Sequence, residues 1–153
     1  MSIQGILYKL LNVPMTALLR SPLHGIASRN LCVLGYRGRK SGRRITTPLS
    51  YVRDGECVRL LTSVDTNWWK NFTGEAQPVE LEIAGERLTG RAIALRDPDP
   101  GHRDGVRTFL TALPRDAFVY GIGLDGSRRP KEADLERQAG HVVLVEITLD
   151  AGA

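Results

Sequence analysis

Residues 79–95 constrain the fold more than any other stretch of the chain. Val79-Glu-Leu-Glu-Ile83 alternates apolar and charged side chains, Ala84-Gly85-Glu86 supplies a tight turn, and Leu88 to Leu95 returns as a second strand. A two-residue period places the apolar side chains of such a segment on one face of a sheet. The same pattern runs upstream. Residues 31–36 and 46–52 read as strands joined by the glycine-bracketed loop Arg37-Gly-Arg-Lys-Ser-Gly-Arg43, and Asp54-Gly55 is a tight-turn signal ahead of a strand over residues 57–63. Residues 141–149 read as a last, mostly buried strand. Antiparallel hairpins dominate and no strand–helix–strand rhythm appears. The prediction is therefore an α+β fold built on a barrel-like sheet of about six strands.

Helical pieces are inserted into this frame. Ile3, Ile6, Leu7, Leu10 and Leu11 recur at helical spacing before Pro14, and Met15, Leu18 and Leu19 carry the apolar face on to Pro22. That face implies a helix packed on the domain. A weak peripheral membrane contact is the sharper alternative, although the polar side carries little positive charge. A short helical piece holds Trp68, Trp69 and Phe72, and a further apolar face at Val106, Phe109, Leu110 and Leu113 is closed by Pro114. With 153 residues the chain is sized for one domain, 1–153, and 42% hydrophobic residues are enough to bury a core.

Several function classes are disfavoured at once. Cys32 and Cys57 make no disulfide framework, and His24, His102 and His141 are scattered without ligand spacing, so no metal is expected. The first fourteen residues resemble neither a signal peptide nor a membrane span, which makes a cytoplasmic protein the expectation. The formal net charge is +4, and Arg37, Arg39, Lys40, Arg43 and Arg44 alone account for that surplus. So local a cluster suits a bound anion better than a nucleic-acid-coating surface. Nucleic-acid binding would also want basic and aromatic residues interleaved, whereas here about twenty-five residues separate them.

Two segments carry candidate chemistry. In Gly38-Arg-Lys-Ser-Gly42 the glycines allow backbone N–H groups to converge, while Arg39, Lys40 and Ser41 add charge and a hydroxyl. That combination suits a phosphate, although a solvated basic hairpin has the same sequence. In Asn67-Trp-Trp-Lys-Asn-Phe72 adjacent side chains on a helix point about 100° apart. Trp69 is expected to pack inward while Trp68 borders a planar ligand; two core anchors are the alternative. No nucleophile pairs with a histidine in sequence, so a bound cofactor is expected to supply the reaction chemistry.

The order Gly38-Arg-Lys-Ser-Gly-Arg-Arg-Ile-Thr-Thr-Pro-Leu49, Tyr51-Val-Arg-Asp-Gly55, Thr62-Ser63, Trp68-Trp-Lys-Asn-Phe72 resembles the deazaflavin-dependent nitroreductase and quinone reductase family, over about residues 31–95. The resemblance implies a split β-barrel, a homodimer, and coenzyme F420 (8-hydroxy-5-deazaflavin), with FMN as the alternative. The substrate it implies is a quinone, an activated alkene or a nitro compound. Carried over by position, Arg39, Lys40, Ser41, Gly42 and Arg44 would hold the phosphate and tail. Thr47, Pro48, Leu49, Thr62 and Ser63 would flank the ring, and Asn67, Trp68 and Asn71 would close the helix end. For the reaction itself, Ser63, Ser50 or Tyr120 would hydrogen-bond the oxyanion that develops on the substrate or supply a proton. The chain departs from the family at Ile45, where an arginine is usual and Arg44 would substitute, and at Ser50, where a tyrosine is usual. It is also shorter between Ser63 and Trp68. The rivals are FMN or another flat ligand on the same fold, and a non-enzymatic module binding an anion or nucleic acid.

Overall fold

The computed structural model describes residues 30–150, so the helix expected near the start of the chain lies outside the described residues. Seven antiparallel strands form one sheet: β1 (Leu31–Arg37), β2 (Arg44–Ser50), β3 (Val52–Asp54), β4 (Cys57–Ser63), β5 (Gln77–Ile83), β6 (Glu86–Leu95) and β7 (Val142–Leu149). The order across the sheet is β2-β1-β5-β6-β7-β4-β3. Among the described residues, two helices, α1 (His102–Ala112) and α2 (Glu132–Gln138), and 3₁₀ turns at Trp68–Phe72, Pro114–Tyr120 and Ala139–His141 accompany the sheet.

Residues 46–52, read as one strand in the sequence, are two. Ser50 ends β2 at one edge of the sheet and Val52 begins β3 at the opposite edge, with Tyr51 alone between them. Two peptide units reach about 7 Å. The sheet must therefore curl until its first and last strands nearly meet, which makes it a half-barrel, the α+β split β-barrel. Tyr51 is the joint. Its N–H donates to the Asn30 carbonyl at 3.0 Å, on the β1 side, while Val52 pairs with Arg59 on β4.

Alternation decides which side chains enter the barrel. Cys32, Leu34 and Tyr36 of β1, Val58 and Leu60 of β4, Val79, Leu81 and Ile83 of β5, and Val143, Val145 and Ile147 of β7 form the interior. Burial drives the Cys32 thiol pKa up to about 12, so the group is an inert core side chain. A second apolar layer lies outside. Val106, Phe109 and Leu110 of α1 and Leu135 of α2 cover Leu61, Val142 and Leu144. Helix α1 approaches β7 closely because residue 105 is glycine: a Cβ there would overlap the Leu144 side chain.

Candidate functional site

The hairpin loop between β1 and β2 folds back on itself. Gly38 N–H donates to the Arg43 carbonyl (2.9 Å), Gly42 N–H to the Gly38 carbonyl (2.8 Å), and Arg43 N–H to Ser41 Oγ (3.2 Å). Arg37 Nη1 staples the loop by donating to the Gly42 carbonyl at 3.1 Å. Bonds within the loop take the N–H groups of Gly38, Gly42 and Arg43, so these three do not serve an anion cradle. One N–H points out of the loop, with a consequence for the site: Arg39 N–H donates at 2.8 Å to Oδ1 of Asn71. The Asn71 Nδ2 in turn donates to the Trp68 carbonyl at 2.8 Å. One amide side chain thus joins the two segments that the sequence singled out.

Beside this joint a groove of about 680 Å³ opens between β1 and β5. Its cause is local. Pairing of β1 with β5 ends at Gly35↔Glu80, and the next outward-facing position on β5 is Pro78, which has no N–H to donate. The strands part there, and the Trp68–Phe72 turn lies at the base of the gap. Five cations line it (Arg37, Arg39, Arg44, Lys70 and Arg91) against two carboxylates, Glu80 and Asp150. Arg44 lies across Gly35, where a Cβ would come within 3.3 Å of its guanidinium, and reaches Glu80 at 2.7 Å. The contact lowers the Glu80 pKa and raises that of Arg44, chiefly through the hydrogen bond. Arg44 does not take the place of an arginine at position 45. It pairs with Arg37 on the outer face, whereas Ile45 pairs with Tyr36 on the inner one.

Trp69 packs inward as expected, but Trp68 is arranged otherwise than the sequence suggested. Both lie in the barrel interior, Trp68 6% exposed and Trp69 4%. The turn caps the interior, so successive side chains both meet apolar neighbours. Trp68 Nε1 donates to Thr62 Oγ1 at 3.2 Å, and Phe72 stands edge-on to Trp68 and Tyr36. Arg96 lies over the Trp69 ring with its guanidinium carbon 5.2 Å from the centroid. Trp68 therefore supports the base of the groove and does not border it. Asn67 also belongs to the turn, where its Oδ1 accepts from Lys70 Nζ at 3.2 Å.

The remaining predicted residues separate. Thr47, Leu49 and Thr62 face the interior, level with Leu34, Cys32 and Val143, while Pro48 and Ser63 face outward. Lys40, Ser41 and Gly42 form the exposed tip of the loop, outside the groove. Ser50 lies at the far end of β2, about 20 Å from Arg44 at the rise of an extended strand. There its hydroxyl hydrogen-bonds the Asp116 carboxylate, whose pKa burial raises. Tyr120 belongs to the same group: burial first, and then the Asp116 charge, push its phenol pKa up, so it stays protonated. Ser63 is separate, bonded to Asp65 at 3.2 Å.

Sequence reading placed Arg37 in the anion-binding cluster but missed Lys70, Arg91 and Glu80 as lining residues, and Asp116 as the partner of Ser50. Lys70 sits inside the aromatic motif and was within reach. Arg91 carried only the signal of an outward position on an alternating strand. Among the described residues, no three His, Cys, Asp or Glu side chains gather to hold a metal, and no helix is long and apolar enough to cross a membrane.

No protein-family model and no curated protein matches the chain. Solved structures do. A protein related to general stress protein 26, of the pyridoxinephosphate oxidase family, from Clostridium acetobutylicum is 14% identical with a TM-score of 0.53, over 87% of this chain and 84% of that one. A pyridoxamine 5′-phosphate oxidase-related FMN-binding protein from Nostoc punctiforme is 15% identical with a TM-score of 0.52, over 88% and 78%. An FAD- and haem-binding protein from Mycobacterium smegmatis is 12% identical with a TM-score of 0.50, over 82% and 67%. At these identities the likeness is one of fold. The chain has the split-barrel architecture of these proteins.

Proposed function

We propose that the chain binds a flavin-type cofactor, with the phosphate-bearing tail in the groove between β1 and β5, and works as a reductase. The observation that carries this reading is the joint at Asn71, which brings the basic hairpin and Lys70 to one cleft rich in cations. Partly desolvated guanidinium groups are strong, geometrically specific phosphate ligands. The fold adds support, since proteins described as binding FMN and FAD share it. Haem fits less well. The described lining of the groove offers the iron no histidine, cysteine or methionine, and its one tyrosine, Tyr36, is packed in the core cluster.

The finer reading is the reduced deazaflavin coenzyme F420, supported by the order of motifs from Gly38 to Phe72. When bound, it would supply a hydride to a quinone, activated alkene or nitro compound, and the enzyme would hold the acceptor carbon roughly 3–3.5 Å away. Ser50 and Tyr120 are already matched by the Asp116 carboxylate at the far end of β2, so we assign them no role on the substrate. FMN is the second reading, favoured by the same groove.

The test is a titration of purified protein with the deazaflavin coenzyme, FMN and haem, read by absorbance and tryptophan emission. Saturable binding of either flavin at low salt, weakening as salt rises, is the expected result. Binding of haem alone, or of none of the three, would overturn the reading.

A further inference from the structure

A second cleft, of about 590 Å³, shares no residue with the groove between β1 and β5. Helix α1 turns Val106, Phe109 and Leu110 to the sheet, and Thr108, Thr111 and Ala112 on its other side form one wall of this cleft. The loop that leads into α2 forms the other, and it is a stiff finger. Leu124 and Pro130 bridge at its base, and Asp125 N–H donates to the Arg129 carbonyl at 2.8 Å. Asp125 Oδ1 accepts from the N–H groups of Ser127 (2.8 Å) and Arg129 (3.1 Å). Arg107 fixes the foot of the finger by donating twice to Glu132, at 2.6 and 3.0 Å, and once to Asp104.

Charge matching leaves a surplus there. Both Glu132 oxygens serve Arg107, and Asp134 serves the Gly123 N–H and Arg137. Asp125 is engaged by backbone N–H groups, which hold its carboxyl below the usual range, with the Arg129 and Lys131 charges adding less. Arg128, Arg129 and Lys131 are exposed, and their side chains make no hydrogen bond or ion pair among the described residues. Arg128 is held at φ 62°, in the left-handed region that favours glycine, so the finger keeps a cation at its tip against backbone strain.

We propose that the cleft and its finger are a docking site for an acidic peptide segment of a partner protein, with carboxylates against Arg128, Arg129 and Lys131 and one aliphatic side chain in the cleft. The site is independent of the flavin-type reading. Three residue steps span up to about 10 Å of chain, so these cations suit successive carboxylates along a peptide. A compact anion would need donors converging on one point. Ala112 and Pro130 give the cleft an apolar part, where an aliphatic side chain would leave water.

The test uses the full chain at low salt and a labelled Glu-Glu-Leu-Glu-Glu peptide, read by fluorescence anisotropy. Arg128→Ala combined with Arg129→Ala should weaken the peptide about tenfold or more. Arg128→Gly should weaken it while leaving thermal stability equal or higher, because the strain goes with the cation. Thr111→Trp fills the cleft and keeps all three cations. It should weaken the leucine peptide severalfold and leave a Glu-Glu-Ser-Glu-Glu peptide unchanged. No binding of the leucine peptide would overturn the site, and so would equal binding of its glutamine counterpart. Thr111→Trp without effect would reduce it to general charge attraction. Displacement of the peptide by an equal concentration of inorganic phosphate would make it a compact-anion site, and binding of phosphatidylserine vesicles without the peptide a membrane surface; either result also overturns the proposal. Flavin titration of the double variant should match wild type, so this site and the flavin reading stand or fall separately.

Discussion

At the hairpin end of β2, Lys40 is exposed and without a partner among the described residues, and Arg39 gives its N–H to Asn71 while its side chain lines the groove. At the other end, Ser50 is bonded to Asp116, Tyr120 is packed beside the same carboxylate, and Arg115 reaches the Asn30 side chain at 3.3 Å. One end keeps the Arg39 and Lys40 side chains free, although Arg44 there is held by Glu80. The other matches its polar groups within the protein, because the chain crosses the seam of the barrel there and an unmatched buried group would be costly. Charge that is free in the folded protein is available to a ligand, whereas charge already matched mainly holds the fold. The same strand therefore carries a candidate binding site at one end and a structural joint at the other.

The largest effect should come from beneath the groove. Trp68→Ala removes a buried indole and its bond to Thr62, and should cost about 3–5 kcal/mol by urea denaturation. A near-neutral stability combined with lost cofactor affinity would show that Trp68 faces ligand after all. At the seam, Tyr51→Ala should cost about 1.5–3 kcal/mol, since the ring packs against the barrel core where the sheet closes. No loss there would mean that the seam is held from elsewhere.

The hairpin end should respond in the opposite sense. Arg39→Ala should leave stability within about 0.5 kcal/mol of wild type yet weaken the cofactor roughly ten- to a hundredfold at low salt. Lys40→Ala, at the loop tip outside the groove, should weaken it less, and the gap between the variants should close as salt is raised. Equal effects would put the phosphate at the tip.

The smallest effect concerns pH. The folded Asp116 carboxyl has a raised pKa, caused first by burial. Between its unfolded and folded pKa values the folded state binds more protons, so this group makes stability fall as pH rises through that window. Asp116→Asn should therefore gain relative to wild type on going from about pH 3 to about pH 7. A relative loss at the higher pH would show that the Ser50 bond outweighs burial, and that the seam is an electrostatic clamp.

The hairpins were legible because alternation and turn residues are local. Val79-Glu-Leu-Glu-Ile83 pairs with β6 in the predicted sense, and the Gly38–Gly42 loop is where its glycines placed it. The division at Tyr51 was not legible, because residues 46–52 have continuous strand propensity and only the closure of the sheet breaks them. Trp68 was misjudged for a similar reason. A helical wheel separates adjacent residues by angle, but a 3₁₀ turn lying across the end of a barrel offers apolar contact in both directions.

The sequence by itself determined the antiparallel hairpins, their inward faces and the concentration of positive charge in one loop, since each follows from neighbours within a few residues. Only the tertiary structure decided where that charge acts. Arg39 meets Asn71 across thirty-two positions, and Arg91 joins the same groove from a strand whose own pattern marks it merely as exposed. Such meetings depend on sheet order, register and the gap that Pro78 opens between β1 and β5, and these are set by the packing of the whole barrel.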